Sequence, residues 1–264
     1  MFSAQDHSFV ICAYGESKYL EECIQSLISQ RIKSNILIAT STPNYLINNL
    51  SKKYNLPLII NTDKSGIASD WNFAVSCVDT PLVTIAHQDD IYEPEYVENI
   101  IEGINKAKNP LIAFTDYGEQ KNGIYFSNNH MLKVKRFLLK PLKSKKLASK
   151  KAMKRLILSF GNPICCPSVT YNLQRLPLPL FESGFRSNLD WEAWEKYSNL
   201  EGSFVYIPNL SMYHRVHEDS ETSACIVDNV RTEEDYQMLK KFWPSPIAKA
   251  INCQYKKSQK SNGE

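Results

Sequence analysis

No stretch of this 264-residue sequence approaches the roughly 20 consecutive apolar residues of a membrane-crossing helix. The opening MFSAQDH is polar and the apolar run after it is short, so no secretory leader is expected. Large excess charge is absent too. A formal net charge of +3 says little about partners, and a 43% hydrophobic fraction is ample for a soluble core. The seven cysteines (12, 23, 77, 165, 166, 225 and 253) are odd in number and lack CxxC spacing. That argues against a disulfide framework and predicts buried free thiols in a reducing cytoplasm, with adjacent Cys165 and Cys166 as the one pair that could be reactive. Glycine is sparse where a phosphate cradle would need it. The segment after the first apolar run, CAYGESKY, has one glycine, which argues against nucleotidyl transfer on a P-loop-like turn.

What is present is an alternation of strand-like and helix-like segments. FVICAY (9–14), ILIAT (36–40), PLIIN (57–61), LVTIAH (82–87) and LIAFTDY (111–117) read as strands. Between them, apolar residues recur at helical spacing. The first such set is Leu20, Cys23, Ile24, Leu27 and Ile28 behind Ser17 as a cap. The second, Leu46, Ile47, Leu50 and Tyr54, follows a helix start at Thr42-Pro43. Ile67, Trp71, Ala74, Val75 and Val78 form the third. Val97, Ile100, Ile101 and Ile104 form the fourth, opened by Glu93-Pro94. Strands alternating with helices imply right-handed crossovers and a mostly parallel sheet. Ligands bind beyond the carboxyl ends of such strands. Tyr14 to Glu16, Thr40-Ser41, Asp63-Lys64 and His87 to Asp90 all fall there.

Five segments, in order, resemble a family 2 glycosyltransferase of the GT-A fold over roughly residues 8 to 220. SFVICAYGESKYLEECIQSLISQ is similar to that family's first strand and helix. GIASDWNFAV is similar to its Gly-led helix start ending in asparagine. AHQDDIYEPEYVE occupies the place of its DxD segment, SGFRSNLDWEAWEKY that of its ED-type segment, and YHRVHEDSETS that of its late Arg-x-His segment. The resemblance implies an α/β GT-A (Rossmann-like) fold: a mostly parallel central sheet flanked by helices, with a smaller acceptor-side half. The expected layout is one domain, with a nucleotide-sugar half over about 8–117, an acceptor half over 118–225 and a helical tail over 226–264. The implied activity is inverting, metal-dependent transfer from a nucleotide sugar, UDP-sugar favoured, to a glycan or polyprenyl-diphosphate-linked acceptor. The implied setting is bacterial surface polysaccharide or glycoconjugate synthesis.

A leaving diphosphate needs Mn²⁺ or Mg²⁺ held by oxygen-rich ligands. Residues two apart in an extended segment share a face, so His87 and Asp89 point together while Gln88 and Asp90 point away. Asp89 is the expected metal ligand. His87 stands where the family has its first aspartate, either as a second ligand, since imidazole suits Mn²⁺ better than Mg²⁺, or as a partner of the donor's ribose or sugar. Asp90 is either a helix N-cap ahead of Pro94 or part of the site. His217 is the third candidate ligand, and Arg215 would close over the diphosphate. The resemblance makes Asp190 the general base, with Leu189 where the family has glutamate. Trp191 either walls the acceptor or packs in the core. On the donor side, the resemblance sets Tyr14 against the nucleobase, where Ala13 would offer backbone groups, with Glu16 and Gln88 as further donor-binding candidates. Thr40 or Ser41 stands in for the family's uracil-reading aspartate, Lys64 could pair with a phosphate, and Asp70 and Asn72 lie one turn into the next helix, Asn72 matching the family's asparagine.

From Lys133 to Arg155 the chain carries eleven basic residues and no acidic one, interleaved with Phe137, Leu138, Leu139, Leu142 and Leu147. No nucleic-acid recognition motif accompanies it. The alternation predicts a segment at an anionic membrane surface, hence a cytoplasmic protein held peripherally at the inner face. The tail from Glu233 to Ile251 is amphipathic, broken at Pro244 and Pro246, and reads as a docking or membrane-edge helix pair. A non-catalytic nucleotide-sugar-binding protein of the same fold is the alternative reading.

Overall fold

The structure is a computed structural model that describes residues 1–63, 66–182, 184–217 and 230–261, with side chains to Cys253. Four strands, β1 (His7–Ala13), β2 (Asn35–Thr40), β3 (Leu58–Ile60) and β4 (Leu82–His87), lie parallel in the order β3-β2-β1-β4. The connecting helices are α1 (Leu20–Ile28), α2 (Tyr45–Tyr54) and α3 (Ile67–Ser76). β1 is apolar on both faces because helices and later elements cover both: Phe9, Val10 and Ile11 are fully buried. α1 buries Leu20, Cys23, Ile24 and Leu27, the stripe its sequence spacing predicts.

Two helices start later than their prolines suggest. Asn44, not Thr42, caps α2 by accepting the Ile47 N–H at 2.9 Å. Thr42 is otherwise used, its hydroxyl accepting the N–H of Gly15 at 2.7 Å. Gly15 is in the left-handed region (φ 59°), where a side chain would be strained, and so turns the chain out of β1. Pro94 likewise precedes α4 (Tyr96–Lys106) by a turn, after the short β5 (Ile91–Tyr92).

β6 (Pro110–Lys121) then runs unbroken across the expected 117/118 boundary, so the two expected halves share one sheet. It forms a hairpin with β7 (Ile124–Phe126). Next come α5 (His130–Leu139), α6 (Lys145–Ala148) and α7 (Lys151–Leu158). β8 (Val169–Asn172) inserts antiparallel between β4 and β6. After α8 (Leu189–Ser198), β9 (Ser203–Val216) lies parallel to β6 and antiparallel to β5. Among the described residues the sheet has nine strands and is mixed: β3-β2-β1-β4 and β6-β9 pair in parallel, and the other four pairings are antiparallel.

One face of the sheet carries a core of Phe9, Ile24, Tyr92, Tyr96 and Ile100. The other carries Val10, Ile112, Tyr171, Trp194 and Phe204, and Trp191 belongs to it. Each such side chain contributes about 2 kcal/mol by leaving water. The tail forms two helices, α9 (Val230–Lys240) and α10 (Ser245–Ser261), which pack inward through Met238, Leu239 and Ala248. The Trp243 indole donates to the Ser159 carbonyl at 2.7 Å. Among the described residues no helix is long and apolar enough to cross a membrane.

Candidate active site

β1 and β4 mark the point where strand order reverses, and their carboxyl ends lie side by side, with Cys12 opposite His87. Past His87 the chain turns: the Asp90 N–H donates back to the His87 carbonyl at 3.2 Å. This turn overrides the alternation expected of an extended segment and corrects the reading of Asp90. It is no helix cap. It is fully buried, and His87, Asp89 and Asp90 each offer a ligand atom within 4.8 Å of the others. Gln88 is spent on the backbone. Its amide donates to the Tyr14 carbonyl at 2.9 Å and accepts the Tyr14 N–H at 3.0 Å, bracing β1 against β4 rather than meeting a donor.

β9 and the residue that follows it bring three cationic or ionisable groups to this turn. The His214 Nδ1 lies 3.0 Å from Asp90 Oδ1, and the His217 Nε2 lies 2.8 Å from Asp89 Oδ2. Burial opposes charge on His214, but the charge and hydrogen bond of Asp90 and the charge of Asp89 outweigh it and push its pKa up to about 9. Burial would raise Asp89. The hydrogen bond from His217 and the charges of His87, His214 and His217 prevail, and Asp89 sits below its ordinary value.

Arg215 is only 5% exposed. It donates to the Asp89 carbonyl, Gln120 and Glu22, and its guanidinium lies 4.3 Å from the centre of the Tyr19 ring. Each guanidinium nitrogen has a protein partner, so Arg215 shapes the turn that carries the carboxylates.

His87 stacks on Trp71, ring centres 5.1 Å apart at 25°. Its Nε2 and the Oδ2 of Asp90 are buried with no hydrogen-bond partner among the described residues. Buried polar atoms are rarely left so. Two carboxylates and imidazoles, with two ligand atoms uncommitted, fit Mn²⁺ or Mg²⁺, and the imidazoles favour Mn²⁺.

Asp190 lies on the second residue of α8. Its Oδ1 accepts the Trp191 N–H at 2.7 Å and its Oδ2 accepts the Asn162 amide at 2.7 Å. Burial raises its pKa, against the pull of the Trp191 N–H, the Arg231 charge, Asn162 and Lys135. A raised pKa makes the carboxylate a better proton acceptor. The turn before α8 is held from the tail. Glu234 of α9 accepts the N–H groups of Arg186, Ser187 and Asn188 at 2.7, 2.7 and 3.0 Å. Cys165 and Cys166 both feel the charges of Asp190 and Asp90. Burial first, then the charges of Asp190 and Asp90 on each, drives both thiols well above the ordinary value, so neither is a reactive thiolate. The six described cysteines are free, and Cys253 is exposed rather than buried.

Trp191 is corrected from acceptor wall to core. It is 1% exposed, its indole donates to the Leu158 carbonyl at 3.1 Å, and it stacks on Phe242. Asn72 is corrected as well, since its amide exchanges two hydrogen bonds with the Phe181 backbone, at 2.8 and 3.0 Å. Asp70 ties Ser41 to Asn61, each at 3.0 Å, across the ends of β2 and β3. Thr40 is buried and its hydroxyl accepts the Thr42 N–H at 3.1 Å. Ala13 is a buried strand end, whereas Tyr14, 61% exposed, and Glu16 face solvent beside it. Lys64 lies outside the described residues. Sequence reasoning missed His214, Trp71 and Glu234. The first sits inside the YHRVH segment, the second in the α3 stripe, and the third has no local signal.

The family model for glycosyl transferase family 2 matches residues 8–171, and the chain belongs to that family. Among solved structures, it is similar to S. aureus TarS 1–349 in complex with UDP-GlcNAc, with TM-score 0.58 and 14% identity over 94% of this chain and 71% of that one. A longer S. aureus TarS structure matches with TM-score 0.59 and 13% identity, over 93% of this chain and 42% of that one. The mannosyltransferase PcManGT from Pyrobaculum calidifontis, in complex with GDP-Man and Mn²⁺, matches with TM-score 0.62 and 12% identity, over 94% of this chain and 68% of that one. These likenesses show the GT-A glycosyltransferase fold. A search of curated proteins finds no match.

Proposed function

We propose that this enzyme moves a sugar, with inversion, from a nucleotide sugar to a glycan or polyprenyl-diphosphate-linked acceptor of a bacterial surface polysaccharide or glycoconjugate. The observation that carries the reading is the grouping of His87, Asp89 and Asp90, whose ligand atoms lie within 4.8 Å of one another at the end of β4; the raised pKa of Asp190 supports it. His87, Asp89, Asp90 and His217 would hold Mn²⁺ or Mg²⁺, which supplies charge to offset a departing diphosphate. Asp190 takes the proton of the acceptor hydroxyl as its oxygen bonds to the anomeric carbon. The bond from that carbon to the diphosphate breaks in the same displacement, and one displacement inverts the centre. The exposed ring of Tyr14 at the end of β1 would lie against the nucleobase. UDP is the favoured base carrier, with dTDP and GDP as alternatives, because Thr40 offers no carboxylate. Similar structures hold UDP-GlcNAc and GDP-Man, which supports a nucleotide sugar without choosing the base.

Donor hydrolysis with Mn²⁺ tests the assignment. Asp190→Ala should lower turnover about a thousandfold with donor affinity retained. Asp89→Ala should lower both. Equal turnover in all three proteins would refute the site, and donor binding without turnover in the wild type would mark a non-catalytic binding protein. A thermal-shift panel of UDP-, GDP- and dTDP-sugars with and without Mn²⁺ identifies the base.

A further inference from the structure

The basic stretch 133–155 does not behave as one solvated face. Leu139 and Leu142 are buried. Lys154 is buried as well and donates to the Leu200 and Gly202 carbonyls at 2.7 and 2.9 Å. Arg155 pairs with Glu195, and Lys135 donates to the Tyr117 hydroxyl at 2.7 Å. What remains is local. A cleft of about 540 Å³ opens between α5, the segment after it and the 206–208 part of β9. It is lined by Lys133, Arg136, Phe137, Lys140, Lys143 and Tyr206, and Asp116 is its one acid. Arg136 already neutralises that acid, with Nε 2.7 Å from Asp116 Oδ2. Three exposed lysines are left around it, none with a side-chain partner among the described residues.

The rim is apolar where it meets solvent. Phe137 is 74% exposed, and Val134 is exposed one turn before it. The cleft's other edge is Asn128, which follows the β7 hairpin, whose Ile124, Tyr125 and Phe126 are all exposed. A second cavity of about 260 Å³ adjoins it, shares Lys143, Tyr206 and Pro208, and adds Lys108 and Lys145; Lys106 also lines it but is paired with Glu102. Lysines around a cleft suit a phosphate oxyanion as point charges. An exposed phenylalanine at the lip of such a cleft suits the boundary between headgroups and acyl chains. A nucleic-acid surface would instead need aromatic platforms in series along a basic groove.

We propose that this cleft takes the phosphate of an anionic phospholipid headgroup, with Phe137 entering the interface, and so docks the protein on an anionic membrane. The proposal rests on surface chemistry and is independent of the transferase reading.

Flotation of the full chain with vesicles of phosphatidylcholine containing one-third phosphatidylglycerol tests it. Binding is expected to these vesicles and not to pure phosphatidylcholine. Changing Lys133, Lys140 and Lys143 together to Ser should lower partitioning about 100-fold. The same change at Lys146, Lys150 and Lys151, exposed lysines that do not line the cleft, should lower it less than about tenfold. Phe137→Ser should lower it about tenfold. All substituted side chains are exposed, and a thermal melt of each variant is the check that it folds. Equal losses for the two lysine sets would overturn the proposal, as would binding to neutral vesicles. So would full competition by inorganic phosphate at constant ionic strength, which would mark a soluble-anion site, or displacement of vesicles by a nucleic-acid duplex.

Discussion

Arg215 donates from Nε to the carbonyl oxygen of Asp89 at 2.7 Å, while its own backbone N–H donates to the carboxylate of Asp90 at 2.8 Å. One residue of β9 thus fixes both halves of the acidic pair, and its side chain spans Gln120 and Glu22 as well. A lysine cannot reproduce that fork.

Arg215→Met should therefore destabilise the protein by about 3 kcal/mol, because it leaves the Asp89 carbonyl and the amide oxygen of the buried Gln120 without their donor. Arg215→Lys should weaken Mn²⁺ binding about tenfold even where the protein stays folded. Glu22→Gln should cost under about 1 kcal/mol, since the Glu22 side chain is 48% exposed. Urea unfolding and calorimetric Mn²⁺ titration separate these. Equal costs for Arg215→Met and Glu22→Gln would show that the ion pair, not the fork, matters.

In the proposed site, His87 serves as a metal ligand where a DxD pair would offer its first aspartate. Imidazole prefers Mn²⁺, and carboxylate accepts Mg²⁺ readily. His87→Asp should raise Mg²⁺-supported turnover relative to Mn²⁺ about tenfold or more. It also removes the stack on Trp71, so donor affinity should be measured alongside. An unchanged metal ratio would place His87 on the donor and not on the ion.

The sheet and its crossovers were legible because apolar periodicity is local. Strands buried on both faces read as unbroken runs, and α1 shows its stripe at three- and four-residue spacing. Capping was less legible, since both Thr42 and Asn44 can cap and only the demand of Gly15 on Thr42 decides between them. At the candidate site, Asp89, Asp190 and His217 were candidates from motifs, and the structure brings Asp89 and His217 into hydrogen-bond contact. Their neighbours could not be found that way. Gln88 and Asn72 are amides whose backbone partners lie 74 and 109 residues away. Asp90 escaped because a single turn after His87 cancels the alternation on which its orientation was argued. Trp191 shows the limit of residue type, because a large aromatic next to a base suits a sugar face and a core equally well, and only burial decides.

Asp190 carries a raised pKa, with burial as the leading cause. A general base works only when unprotonated, so turnover should fall as pH drops through that raised value. The acid limb of kcat/KM should lie above the range of an ordinary aspartate. Asn162→Ala removes a hydrogen bond that favours the charged form, so it should move the limb to still higher pH. A limb at the ordinary aspartate value, unmoved in Asn162→Ala, would remove Asp190 from the role.

His7 offers a stability test remote from the chemistry. It is fully buried on β1, with Nε2 2.8 Å from the Thr84 hydroxyl and Nδ1 3.1 Å from the Ser34 hydroxyl. Burial pushes its pKa from 6.5 down to about 3. The unfolded chain therefore binds a proton below pH 6.5 that the folded chain refuses until about pH 3. Stability from this group is complete above 6.5 and falls with pH by about 1.4 kcal/mol per unit, or about 2 kcal/mol at pH 5. His7→Gln has no such proton to gain. Whatever the substitution costs at pH 7, the gap between wild type and His7→Gln should shrink by about 2 kcal/mol at pH 5. Urea unfolding at the two pH values measures it. A gap that stays constant would mean that His7 ionises in the folded protein as readily as in the unfolded chain.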